Sequence, residues 1–269
     1  MDAAVTSNEQ DPQAPPGGWL RPVGAFVLDV AMAAALMLAI AILGFVAWGA
    51  AEGVSMALSG RDMADVPADA FMPGPVALAL IGIGATGIAA LLTYLWRGRA
   101  TVAERARSIQ AIRALATWNL AVMAGIGVFV FSAAVAWAGR SLGVEPEPTN
   151  LALMDAIADR PALVLLLVVV LAPAYEELLF RRVLFGRLWR AGRPWLGLVL
   201  SSLVFALVHE MPGLSANEWP ALAMLLVVYG GMGAAFAWVY WRTGTLWAPI
   251  IAHATNNLVA AGLLLFGPG

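Results

Sequence analysis

An all-α fold, a polytopic transmembrane helical bundle of about seven spans (six to eight), follows from three observations. Hydrophobic residues make up 61% of the 269 residues and charged residues only 12%, about half the ~25% of an ordinary soluble domain. Mean hydropathy is +0.82. The apolar residues also gather into runs of the ~20 residues needed to cross a bilayer. So little charge could not cover the surface of a water-soluble chain of this size.

The elements follow in order. The first 20 residues, MDAAVTSNEQDPQAPPGGWL, are polar, Pro-rich and acidic. They lack the basic start and early apolar core of a signal peptide and read as a disordered cytoplasmic tail. Spans are expected at 23–50, 74–96, 117–138, 161–190, 194–213, 219–241 and 245–266. Pro173 predicts that the fourth is bent, with its last turns, bearing Arg182, Arg187 and Arg190, at the cytoplasmic interface. The chain thus divides into a tail (1–20), N-terminal spans (21–160) and a polar-centred core (161–266).

Every one of the 15 basic residues is Arg, and their placement orients the spans. Arg97, Arg99, Arg105, Arg107 and Arg113 crowd one connection, and Arg182, Arg187, Arg190 and Arg193 another. The 51–73 and 139–160 connections hold Asp62, Asp65, Asp69, Glu145, Glu147, Asp155 and Asp159. The Arg-rich connections are therefore cytoplasmic, which puts the N-terminus inside, in a multi-pass protein of a cell (inner) membrane. Trp96, Trp118, Trp189, Trp195, Trp219, Trp241 and Trp247 fall at span ends, as interfacial aromatics do.

A net charge of −2 gives no footprint for nucleic acid. The absence of Cys excludes disulfides, thiolate metal sites and a Cys nucleophile. Gly82-Ile-Gly84-Ala-Thr-Gly87 matches G-x-G-x-x-G but lies within an apolar span, without the strand that a dinucleotide fingerprint needs. It reads instead as small-residue helix packing, as do Gly230, Gly231 and Gly233.

The chemistry collects in three of the last four apolar stretches. Both histidines of the chain, His209 and His253, lie there with Glu176, Glu177, Arg181 and Asn257. Ionisable groups inside a membrane segment are costly and mark function by default. Glu177 and Arg181 are four residues apart, stacked on one helix face with the acid N-terminal to the cation. Arg181 thus keeps Glu177 ionised, while Glu176, ~100° around the helix, has no local partner and suits a general base. Glu176 stands 14 residues before Arg190, and His209 15 after Pro194, across a tight hairpin. At ~1.5 Å per residue both lie ~21–23 Å from one turn. His253, nine residues after Gly244, enters from the same side, with Asn257 one turn beyond it. Asp29 and Glu52 suit capping or interfacial roles, and Glu210 the solvated edge of a loop.

These residues carry a resemblance. Glu176-Glu177-x-x-x-Arg181, Phe205-x-x-x-His209 and His253-x-x-x-Asn257, with the run Thr243–His253, resemble the successive motifs of the CAAX-protease and bacteriocin-processing (CPBP, or Abi) family of intramembrane proteases. The match covers about 161–260. One departure is Arg182, where many members have Gly, and it is expected to affect only local packing. The resemblance implies a glutamate-dependent endopeptidase acting on a membrane-associated or lipidated peptide or protein near its C-terminus. In it Glu176 and His209 activate water, His253 and Asn257 donate to the oxyanion, and Glu177, Arg181 and Phe205 support the site.

The partners implied are that substrate and the bilayer, with no nucleic acid and the oligomeric state open. No cofactor is expected. Zinc held by Glu176, His209 and His253 is the alternative, since two His and one Glu is a catalytic zinc set. A non-catalytic immunity or transport protein is the alternative from another class.

Overall fold

The computed structural model describes residues 18–60, 66–67, 71–149 and 159–266. Residues 1–17 of the expected tail, with Asp62, Asp65, Asp69 and Asp155, lie outside the described residues. Among those described there is no strand. The helices are α1 Leu20–Leu58, α2 Pro75–Gly98, α3 Val102–Ile112, α4 Leu115–Ser141, α5 Pro161–Arg190, α6 Pro194–His209, α7 Trp219–Thr243 and α8 Trp247–Phe266. Six of them (α1, α2, α4, α5, α7 and α8) are long and apolar enough to cross a membrane.

The expected fifth span is corrected. Its helix, α6, stops at His209 after 16 residues. Glu210 leaves helical geometry at φ −136° and ψ 89°, and Pro212-Gly213 follows, so the apolar run outlasts the helix. A second difference is α3, inside what the sequence suggested was only a connection. Its start is fixed by a capping box, in which the Thr101 hydroxyl accepts from the Glu104 N–H and the Glu104 carboxylate accepts from the Thr101 N–H.

Helices α6 and α7 pack together, as do α4 with α8 and α1 with α2. The main core gathers Phe180, Val183 and Leu184 of α5, Phe205 of α6 and Phe236 of α7. Large apolar side chains such as Leu38, Ile42 and Phe45 face outward from α1, toward lipid in a membrane. The packing role expected of Gly82, Gly84 and Gly87 holds only for Gly87, where a Cβ would stand 3.4 Å from the Tyr175 ring, because Gly82 and Gly84 have no neighbour there. The small residues that α2 buries are Ala79, Ala85, Ala89, Ala90, Thr93 and Gly98. In α7, Gly231 and Gly233 do admit Phe131 and Ser202, whereas Gly230 faces open space.

Helix α5 is bent as Pro173 predicts, and the bend has a definite form. Wide, π-type turns at Leu165–Leu171 and Leu178–Phe185 flank one α-helical stretch, Ala172–Glu177. Proline removes an intrahelical donor, and such bulges absorb the loss.

Partly buried ion pairs knit the Arg-rich end. Asp29, fully buried, accepts from Arg97 Nε at 2.6 Å and Arg187 Nε at 2.8 Å, joining α1, α2 and α5. The capping or interfacial role expected for Asp29 gives way to this bridge. Arg182 donates from both Nη atoms to the Glu104 carboxylate, at 3.0 and 2.7 Å, and from Nε to the Gly98 carbonyl at 2.9 Å. The residue expected to matter only to local packing therefore ties α5 to α3 and to the end of α2.

Candidate active site

Three helices deliver the polar centre. The α-helical stretch of α5 carries Glu176 and Glu177, the last turn of α6 carries His209, and the second turn of α8 carries His253. Helix α8 returns to the bundle because α7 ends on Gly244 at φ +66°, a left-handed cap that only Gly adopts without strain.

Glu176 Oε2 lies 3.7 Å from His209 Nε2 and 3.9 Å from His253 Nε2, and it is buried with no hydrogen-bond partner. Both rings spend the other nitrogen. His209 Nδ1 is 2.8 Å from the Phe205 carbonyl, which can only accept, so this nitrogen carries the proton. His253 Nδ1 stands 3.0 Å from Glu177 Oε1 and likewise donates to it. The Nε2 atoms of both rings are thereby turned toward one carboxylate oxygen.

Behind them, Glu177 and Arg181 are both fully buried. Arg181 Nε is 2.7 Å from Glu177 Oε2, but off the line a hydrogen bond needs, and Nη2 reaches Oε1 at 3.4 Å. The pair is held chiefly by charge proximity. Aromatic rings supply the rest, since the guanidinium carbon lies 5.0 Å from the Phe205 centroid and 5.8 Å from those of Phe180 and Phe236, within cation–π range.

Sequence reasoning missed several contributors. His209 is sandwiched between Phe205 at 4.3 Å and Tyr229 at 4.6 Å, and His253 stacks on Phe236 at 4.8 Å. Tyr229 and Phe236 are seven residues apart on α7, two turns along one face, a spacing that could have signalled them.

Glu210 was misread. It is fully buried, and its carboxylate accepts from the Thr149 N–H at 2.6 Å, the Thr149 hydroxyl at 2.9 Å and the Ser215 hydroxyl at 2.8 Å. Directly after His209, it anchors the end of α6 to a connection 61 residues away.

Asn257 does not point its amide at Glu176. Its Nδ2 donates to the Val168 carbonyl of α5 at 2.9 Å, and its Oδ1 accepts from Asn256 Nδ2 at 2.9 Å. The structure therefore brings Glu176, Glu177, Arg181, Phe205, His209 and His253 together, with Asn257 bound to the backbone beside them. Among the described residues no three His, Asp or Glu side chains are grouped so as to hold a metal ion.

Comparison with known proteins adds a sequence-level likeness. Residues 158–259 match the family described as Type II CAAX prenyl endopeptidase Rce1-like. YdiL of Bacillus subtilis (strain 168), a candidate membrane peptidase by name, is 31% identical over 139 residues, 50% of this chain and 52% of that relative. MroQ of Staphylococcus aureus (strain USA300), named a membrane-embedded CAAX protease, is 34% identical over 107 residues, 38% of this chain and 39% of the relative. The chain thus spans about half the length, or less, of these curated relatives. No solved structure matches it significantly.

Proposed function

We propose that the protein is an intramembrane endopeptidase, a reading supported by the match of residues 158–259 to the family described as Type II CAAX prenyl endopeptidase Rce1-like. The observation that carries this reading is the partnerless Glu176 Oε2, buried 3.7 and 3.9 Å from two imidazole nitrogens. Separations of that size leave each pair too far apart for a direct bond and suit one water bridging carboxylate and ring.

In the proposed reaction, Glu176 takes a proton from that water, with His209 Nε2 as the second acceptor orienting it. The water oxygen bonds to the scissile carbonyl carbon, and the carbonyl oxygen becomes an oxyanion. His253 Nε2 donates to that oxyanion. This requires a ring protonated on both nitrogens, and Glu177, accepting from Nδ1, balances its charge. The intermediate then collapses, the C–N bond breaks, and Glu176 returns its proton to the leaving amine. Arg181 pairs with Glu177 behind the site, and Phe205 holds His209 both by ring contact and through its carbonyl.

The substrate is a membrane-associated or lipidated peptide or protein, cut near its C-terminus. The name of MroQ and the burial of the centre among apolar helices support this class. The protein works in the cell membrane with its N-terminus cytoplasmic, a reading supported by the Arg-rich connections.

One observation favours zinc instead. Both rings spend Nδ1 on oxygen acceptors, as zinc-bound histidines do, and turn Nε2 to the same carboxylate. The two readings share the same three residues, and the chelator arm of the test below decides between them.

The test compares membrane peptides from cells expressing the wild type or Glu176→Gln. A membrane peptide is expected to accumulate uncut only in the variant, and wild-type membranes are expected to keep cutting it in chelator. Unchanged peptides with normally folded variant would sink the peptidase reading in favour of a non-catalytic role. Cleavage lost in chelator and restored by zinc would sink the metal-free one.

A further inference from the structure

Helix α5 contains a backbone carbonyl that its own helix cannot satisfy. In its first wide turn the Ala172 N–H donates to the Leu167 carbonyl, five residues back. In α register that N–H would have gone to Val168. In the wide register the Val168 carbonyl would receive the N–H of residue 173, but residue 173 is proline and has none. Both of these intrahelical donors are therefore lost to Val168 at once. Inside a bilayer water cannot make up the loss, and an unsatisfied backbone group is expensive.

The donor comes from another helix. Asn257 Nδ2, 89 residues away on α8, reaches the Val168 oxygen at 2.9 Å. The amide is fixed in that sense by the buried Asn256, whose own Nδ2 donates to Asn257 Oδ1. Glu176 follows Pro173 by three residues, within the short α stretch that this bulge precedes. Removing one wide turn would shift the helix phase by about one residue, ~100°, and would swing Glu176 away from His209 and His253.

We infer that Asn257 is a positioning residue for Glu176: it supplies the hydrogen bond that Pro173 withholds from Val168 and so holds α5 in the wide register. The inference concerns the backbone, and its importance for catalysis rests on the proposed role of Glu176.

The experiment uses the full chain in detergent, with amide hydrogen exchange over residues 165–177 and cleavage of the peptide that accumulates in Glu176→Gln membranes. Asn257→Ala is expected to raise exchange in that stretch about tenfold or more, the order set by orphaning a buried polar group, and to lower cleavage. Adding Pro173→Ala restores an N–H at residue 173. The double variant is expected to regain wild-type protection and to exceed Asn257→Ala in cleavage.

Exchange unchanged in Asn257→Ala, or equally raised in the single and double variants, overturns the inference. If Asn257→Ala does not accumulate, accumulation becomes the measurement: recovery in Asn257→Ala/Pro173→Ala supports the inference and its failure overturns it. If no peptide accumulates in membranes with normally folded Glu176→Gln, beside the expected exchange pattern, the peptidase reading falls and the Asn257 assignment stands.

Discussion

His209 and His253 differ in what holds Nδ1, a backbone carbonyl for one and the Glu177 carboxylate for the other. A carbonyl fixes a neutral ring in one tautomer, whereas a carboxylate also stabilises a charged ring. Glu177 therefore serves both Arg181 and His253, and stability can be separated from chemistry. Glu177→Gln or Arg181→Met alone leaves a buried charge uncompensated, at a cost of about 3–5 kcal/mol. The double variant is expected to regain most of that stability, because an uncharged pair of similar volume is often neutral or better. Cleavage should stay low in the double variant, since His253 has lost its carboxylate. Unfolding midpoints in detergent and product yields check both halves, and a double variant no more stable than its parents would refute the coupling. At this scale the ionisable residues were legible because charge within an apolar run has no cheap structural explanation. Tyr229 and Phe236 were not, since aromatics in an apolar helix pack by default. Glu210 was misread because its partners come from a connection that local spacing cannot reveal.

Helices place these residues through close approaches that only small side chains permit. The backbone of α4 meets α8 at Gly125, where a Cβ would overlap the Ala252 carbonyl and stand 2.7 Å from Thr255 Cβ. Ala252 precedes His253, so any widening of this contact moves an imidazole of the centre. Gly125→Ala is expected to cost about 1–3 kcal/mol, the range of overpacking, and to reduce cleavage. Gly127→Ala, two residues on and facing open space, is the control and should be neutral in both. Thermal midpoints and cleavage of the two variants, measured side by side, decide it; equal behaviour would show that α4 and α8 have slack here. Most helices were readable as apolar runs bounded by Pro, Gly and Arg. The end of α6 was not, because hydropathy continues past the point where Glu210 is drawn into a loop contact. Helix α3 was hidden by its charges, although its Thr101–Glu104 capping box stood in the sequence.

The whole molecule is braced far from the polar centre. Contacts joining residues 68 to 158 positions apart, Arg97 and Arg187 with Asp29 and Arg182 with Glu104, tie α1, α2 and α3 to the end of α5. The Arg-rich ends were legible as interfacial charge, but their partners were not, because nothing local in the sequence pairs positions so distant. Of these groups Glu104 lies outside the spans and gives the brace a pH signature. The hydrogen bond from Arg182, ahead of the bonds to Thr101, holds the Glu104 carboxyl down from 4.5 to about 2. A carboxyl depressed in the folded state contributes stability above its unfolded value, and loses that contribution as pH falls through its folded one. The window therefore runs from pH 4.5 down to about 2. The carboxylate side chain is about one-quarter exposed, so its contribution belongs at about 1 kcal/mol, near the upper end for exposed pairs. Glu104→Gln should unfold in detergent at a lower temperature than wild type near neutral pH, and the two curves should converge as pH falls through that window. Curves that run parallel throughout would show that the Glu104–Arg182 pair does not brace α5.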